Sequence, residues 1–294
     1  MQPPIIIVAA GRSGTKLLRD LLCAHSQLTT WPCDEINPIW RYGSVRYPTD
    51  ELPPERATSR VQRYIRGQFR KISRMGGGAR VVEKTCANSL RVPYVHRVVP
   101  EARFIHLVRD GRDVAASARR RWRGETETGY LLRKARWVPA KYLPYYAYDV
   151  LRNRAQQIVS RERQRPTWGP RFEGIDELVR QRSLIEVCGI QWARCVEAAY
   201  EGFEGVPSSQ VMDVRYEHLV ERPKDVFGEI LAFVGLDFED EVERTIDATI
   251  DARNVGKWRE QLSQDDRHLL MPHIRSTMDR RGYLERQGHE ADQA

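Results

Sequence analysis

Long apolar runs are missing from this chain of 294 residues. Nothing in it approaches the roughly 18 apolar residues that a membrane span needs, and residues 5–10 are too short for the core of a signal peptide. No integral membrane segment is therefore expected. Cysteine pairs are missing as well. The five cysteines, at 23, 33, 86, 188 and 195, make an odd count with no C-x-x-C spacing, so neither a disulfide framework nor a zinc site is indicated. A reducing, cytoplasmic setting fits that usage. Lysine is scarce, with seven residues (16, 71, 84, 134, 141, 224 and 257) among 48 basic ones. Where arginine is the default cation, a retained lysine points to a place where a compact charge matters. Two nucleotide signatures are also absent: the Walker spacing G-x-x-x-x-G-K-[ST] and the dinucleotide fingerprint G-x-G-x-x-G. No internal repeat or low-complexity segment appears.

What remains is an ordinary globular composition, 41% hydrophobic and 30% charged. Its net charge of +8 favours anionic partners, although 40 acidic residues are interspersed with the basic ones.

The most informative stretch runs from Ile5 to Leu18. Ile5-Ile6-Ile7-Val8 is a short β-branched run of the kind buried on both faces of a parallel sheet. Gly11 and Gly14 permit a tight turn. Leu17, Leu18, Leu21 and Leu22 then give the stripe of a helix starting near Gly14 or Thr15. Strand, glycine turn and helix N-terminus together make an anion site. Arg12, Ser13, Thr15 and Lys16 crowd it with donors. Leu17 follows Lys16 where a Walker loop carries its metal-binding hydroxyl, so this is a phosphate-type loop without that metal ligand.

Downstream, Thr29–Trp31 reads as a brief second strand, with Asp34 and Glu35 in a loop at its end, where active groups of open α/β sheets sit. Residues 36–60, rich in Trp, Tyr, Pro and Arg, read as a loop folded over a pocket. A helix is predicted over 58–75, a strand over 80–85, a short helix over 88–99 and a strand over 103–108. Asp110 caps the next helix. His106 lies within an apolar strand and reads as a buried, hydrogen-bonded histidine. Helices near 184–201 and 223–234 flank a last strand at 210–215, and residues 237–247 read as a solvated helix face. The alternation predicts an α/β fold, a P-loop-like parallel sheet flanked by helices. It is broken by a helical insertion or lid at about 122–182 and ends in a disordered tail at about 287–294, all within a single domain of residues 1–294.

The first loop, Gly11-Arg12-Ser13-Gly14-Thr15-Lys16, resembles the 5′-phosphosulfate loop of the sulfotransferases that use 3′-phosphoadenosine 5′-phosphosulfate (PAPS). A second stretch is similar in the same way: Val108-Arg109-Asp110-Gly111-Arg112-Asp113, with Ser117 eight residues after Arg109. In that family, this arginine and serine hold the 3′-phosphate. Three weaker similarities follow family order. Glu83-Lys84-Thr85 with Asn88 resembles the E-K-T-x-x-N segment of bacterial members. Val214-Arg215-Tyr216-Glu217-His218-Leu219-Val220 resembles a segment whose tyrosine lies near the adenine. Asn254 to Trp258 resembles the late loop that closes over the cofactor, with Lys257 as a phosphate ligand. The loop and the acid after it are most like the tyrosylprotein sulfotransferases. That likeness matches Arg12 and Arg19 to their arginines and Glu35 to their general base, with two extra residues before Glu35 and Lys16 in place of a threonine.

The resemblance implies transfer of a sulfuryl group from PAPS to an acceptor hydroxyl or amine, releasing 3′,5′-adenosine bisphosphate without a metal. Glu35, Arg12 and Lys16 are the catalytic residues it implies. Gly11, Arg12, Ser13, Gly14, Thr15, Lys16, Arg109, Ser117, Tyr216 and Lys257 would bind the cofactor. The acceptor is a small molecule, a glycan or a peptide; no nucleic-acid partner is expected. A nucleotide-dependent kinase on a related fold is the enzyme alternative, disfavoured by the missing Walker spacing. A non-enzymatic module binding anionic glycan through basic helices such as 112–123 needs no ordered loop–strand–helix pocket.

Overall fold

The structure is a computed structural model. It describes residues 2–123 and 168–284, together with Trp137, Pro139 and Tyr142. Five strands form one parallel sheet: β1 (Ile5–Val8), β2 (Leu28–Thr29), β3 (Arg80–Lys84), β4 (Arg103–Val108) and β5 (Val211–Arg215), in the order β2-β3-β1-β4-β5. β1 lies at the centre, Ile5 pairing with Val82 on one side and Arg103 on the other. Every side chain of β1 is fully buried, and the pleat divides them between two cores.

Ile5 and Ile7 face α1 (Thr15–Leu22) and the later α9 (Pro223–Val234), among Leu18, Leu21, Phe227 and Ile230. Ile6 and Val8 face Trp40, Phe69 and Tyr94. Each isoleucine so buried contributes about 1.5–3 kcal/mol, which is why a run of β-branched residues fixes this strand at the centre.

The other helices are α2 (Asn37–Trp40), α3 (Ser59–Met75), α4 (Val92–Val98), α5 (Gly111–Arg123), α6 (Ile175–Gln181), α7 (Leu184–Phe203), α8 (Tyr216–Glu221), α10 (Asp240–Thr249), α11 (Trp258–Gln261) and α12 (Gln264–Arg280). α5, α7 and α12 pack together in a third core around Trp192, Cys195, Leu270 and Ile274. Among the described residues, no helix is long and apolar enough to cross a membrane.

Three expectations need correction. The second strand ends at Thr29, and Trp31 instead packs edge-on against Phe69, ring centroids 4.9 Å apart. Residues 36–60 do not form a loop over a pocket. Ile39, Trp40 and Leu52 are core side chains, and Arg41 and Asn37 bind the buried Asp50, so the aromatic residues there serve packing. The segment 88–99 is two short helices, not one: a 3₁₀ turn over Cys86–Leu90 and then α4, broken at Arg91. Pro93, near the start of α4, has no N–H to continue a helix from the preceding turn.

His106 is buried, 2.8 Å from Asp213, as its strand context predicts. Asp110 accepts from the Arg112 N–H at 2.8 Å and caps α5. Most of the insertion assigned to 122–182, and the tail from 287, lie outside the described residues.

Candidate active site

The turn between β1 and α1 is built on two left-handed residues. Gly14 has φ +92°, and Arg12, at φ +73°, is the one non-glycine residue with positive φ among the described residues. For arginine this conformation costs roughly 1–2 kcal/mol, a strain that such loops hold where function needs it. No side chain caps α1, so its first-turn N–H groups stay available to an anion. Gly14 is fixed by packing too: a Cβ there would lie 2.4 Å from Cδ2 of Tyr216, the first residue of α8.

Arg109, just past the end of β4, ties this turn to the rest of the site. It donates to the Arg12 carbonyl at 3.3 Å and to the Asn254 carbonyl at 2.5 Å, and its guanidinium stacks 4.3 Å from the Tyr216 ring centre. Arg12 Nε donates to Ser117 Oγ at 3.0 Å, two turns into α5. One turn after Arg109, Asp113 accepts from Gly256 N and Trp258 N, both at 2.8 Å, which holds the late loop against the first. Lys257 Nζ rests on Asn254 Oδ1 at 2.7 Å. Burial lowers the Arg12 guanidinium from its ordinary value, and the charges of Arg121, Arg109 and Arg120 add to that effect. A site that crowds cations in this way favours an anionic occupant.

The opposite wall carries the acids. Asp34 binds Lys84 Nζ at 2.9 Å and Arg19 at 3.0 Å. Burial alone would raise its carboxyl, but Lys84 and Arg19 outweigh it and hold the group below its usual range. Glu35 is less tightly engaged: its Oε1 lies 3.6 Å from Lys84 Nζ and accepts from Cys86 N at 3.4 Å. Burial disfavours the Lys84 charge, but Cys86, Glu35 and Asp34 around it raise it above its usual value.

Both walls enclose a cleft of about 590 Å³. It is lined by Gly11, Arg12, Gly14, Thr15, Lys16, Glu35, Arg109, Ser117, Tyr216 and Lys257, so ten of the eleven site residues expected from the sequence meet there. Ser13 is the exception; its hydroxyl is buried without a partner in the structure. Lys16 lines the cleft, but its ammonium pairs with Asp20 at 2.5 Å and its side chain is 70% exposed, whereas Lys84 is 4% exposed. The buried lysine of this site is therefore Lys84.

Sequence reasoning flagged Lys84 without a role and missed Asp113, Asn37 and Trp168, which also line the cleft. For Asp113 a signal existed, its i,i+4 spacing from Arg109. For Trp168, held through its carbonyl by Gln191, no local signal exists.

The fold and the cleft define an α/β protein with a cationic pocket at the carboxyl ends of its central strands, the place where such sheets bind nucleotides. The chain belongs to the sulfotransferase family, whose model matches residues 3–164 and 149–240. No curated protein matches the sequence significantly.

Solved structures share the fold. The sulfotransferase domain from the curacin biosynthetic pathway is 15% identical, with 96% of this chain and 98% of that one covered and a TM-score of 0.57. The sulfotransferase STF9 from Mycobacterium avium is 14% identical, with coverage of 95% and 76% and a TM-score of 0.53. Mouse sulfotransferase SULT7A1, solved in complex with PAP, is 16% identical, with coverage of 97% and 89% and a TM-score of 0.50.

Proposed function

We propose that this cleft binds PAPS and that the enzyme transfers its sulfuryl group in line to an acceptor hydroxyl or amine. The observation that carries this reading is the meeting, in one cleft, of the 11–16 turn, the Arg109–Ser117 pair and the 254–258 loop on one side with the Asp34–Glu35 pair on the other. The donor set fits such a ligand. Beyond the uncapped first turn of α1, Arg109 Nε is a buried polar atom without a partner, the kind of shortfall an anion's oxygens make good.

Bound there, PAPS supplies an activated sulfuryl group on a phosphate leaving group. Arg109 and Ser117 hold the 3′-phosphate, with Lys257 alongside. Arg12 and the first-turn N–H groups of α1 stabilise charge growing on the leaving side. Lys16 reaches the same loop once it gives up Asp20. Glu35 takes the acceptor's proton, and Lys84 keeps both acids beside the acceptor. Most of the rate gain is positioning and charge stabilisation, as in phosphoryl transfer. Leu17, where a Walker loop carries a hydroxyl, supports a reaction without metal. The acceptor class is a small molecule, a glycan or a peptide. A cytoplasmic setting belongs to the same reading, supported by five cysteines of which none is joined in a disulfide.

The donor assignment is tested by thermal unfolding. At a hundredfold excess over Kd, 3′,5′-adenosine bisphosphate is expected to stabilise the fold by about 2.7 kcal/mol. Adenosine 5′-phosphate should do much less, and Arg109→Ala should erase the difference, because it removes a forked phosphate donor. Equal shifts from ATP–Mg and the bisphosphate count against the assignment.

A further inference from the structure

Behind the acid pair lies a layer of buried polar groups that the transfer reading does not use. Glu83, near the end of β3, is 1% exposed. One of its carboxylate oxygens accepts from Thr85 Oγ1 at 2.6 Å and the other from Asn88 Nδ2 at 2.9 Å. Arg91 Nε donates to Asn88 Oδ1 at 3.0 Å, which fixes that amide with its N–H₂ toward Glu83. Thr85 Oγ1 also accepts from Ile36 N at 3.1 Å.

The neighbouring contacts run the same way. Lys84 holds Asp34, Cys86 N holds Glu35, and Arg91 donates to Asn37 Oδ1 at 2.6 Å. Every residue from Asp34 to Asn37 is thus gripped from the segment 84–91, and Glu83 orders the two members of that segment, Thr85 and Asn88, that have to be turned the right way.

We propose that Glu83 is a positioning residue: as a carboxylate it turns the Thr85 hydroxyl so that its oxygen faces the Ile36 amide, and so aims Glu35 into the cleft. The inference rests on the reading of Glu35 as the base.

A hydroxyl has one proton and two lone pairs. With that proton on Glu83, Thr85 keeps a lone pair for Ile36 N–H. Asn88, locked by Arg91, presents a donor to the other oxygen, so Glu83 must accept on both sides, as a carboxylate does. A protonated Glu83 brings a second proton to the Thr85 contact; the Thr85 oxygen can take it only by turning its own proton off Glu83, where no acceptor among the described residues receives it, and the shared oxygen then holds Ile36 N–H less firmly. Burial pushes the Glu83 carboxyl up to about 7, against the Thr85 hydroxyl, the Trp40 indole and the Arg91 charge, while Glu35 raises it further. Arg91 and Glu35 are the charged groups that act on it, so the change of state falls near neutrality.

Hydrogen exchange of the ligand-free protein tests this directly. Protection factors for residues 34–37, corrected for intrinsic rates, are compared at pH 8 and pH 6. In the wild type, protection at Ile36 should fall about tenfold or more between pH 8 and pH 6. Glu83→Gln and Thr85→Val should be poorly protected at both, and Thr85→Ser should restore the wild-type pattern. Affinity for 3′,5′-adenosine bisphosphate should be unchanged in all three variants, which shows that the fold and donor side are intact.

With whichever phenol, sugar or tyrosine peptide the wild type sulfates best, kcat should fall on the order of tenfold or more in Thr85→Val and Glu83→Gln, with KM little changed. The acidic limb of the wild-type kcat profile near pH 7 should vanish in Glu83→Gln. Protection at Ile36 that ignores both pH and these substitutions overturns the proposal. If the wild type binds no bisphosphate, the donor reading falls, and the exchange measurement still decides the role of Glu83.

Discussion

Glu35→Gln is expected to lower kcat on the order of a hundredfold or more, the scale of a lost general base, with affinity for the donor nearly unchanged. Two carboxylates share the wall, and their partners separate them. Asp34 is bound by Lys84 at 2.9 Å and Arg19 at 3.0 Å, and these cations hold its carboxyl below the usual range despite its burial. A carboxylate held so firmly has little tendency to accept a proton. Glu35 makes longer contacts, 3.6 Å to Lys84 and 3.4 Å to Cys86 N, and lines the cleft without a second cation.

Asp34→Asn should therefore cost much less in kcat and show itself in stability. Because its folded-state value is depressed, Asp34 stabilises the fold at neutral pH, and that contribution is lost as pH falls through the lowered value. The acid side of the stability curve should flatten in Asp34→Asn. Loss of turnover in Asp34→Asn with a silent Glu35→Gln would make Asp34 the base.

Gly14→Ala should weaken binding of 3′,5′-adenosine bisphosphate at least tenfold and destabilise the fold by roughly 1–3 kcal/mol. The new Cβ would sit 2.4 Å and 2.5 Å from two carbons of the Tyr216 ring. That ring is buried and has the Arg109 guanidinium stacked on it, so it cannot retreat without moving Arg109, the residue proposed to hold the 3′-phosphate. Gly77→Ala is the control. Gly77 also has positive φ, at +68°, but nothing lies within 4 Å of its added Cβ. It should cost about 1–2 kcal/mol, the backbone strain alone, and leave the bisphosphate affinity alone. Calorimetric titration of both variants separates backbone strain from loss of the site; equal affinities for Gly14→Ala and wild type contradict the packing argument.

The sheet was legible because its signals are local. Four β-branched residues followed by a glycine turn and a leucine stripe specify β1, the loop and α1 together. The breaks in the reading are tertiary. Trp40 looks like an aromatic residue over a pocket until Phe69, 29 positions away, meets it edge-on at 5.8 Å. Lys84 reads as a strand-end charge, and its partner Asp34 comes from a loop that periodicity does not orient. Glu83 carries no sign of burial in its own segment, since its burial depends on Asn88 and Arg91 closing over it. The pairing of Lys16 is legible in the sequence too: Asp20 stands at i+4, the spacing at which a helical lysine finds an acid first.

Sulfuryl transfer from PAPS is measured most directly by following the labelled sulfate itself. The purified enzyme is incubated with PAPS carrying radiolabelled sulfate and a panel of phenols, sugars and tyrosine peptides, with EDTA present. Label should appear on at least one acceptor, with one 3′,5′-adenosine bisphosphate released per sulfate moved, and the rate should match that without chelator. Label that never leaves PAPS, with radiolabelled phosphate moved instead from ATP in a magnesium-dependent reaction, would contradict the account.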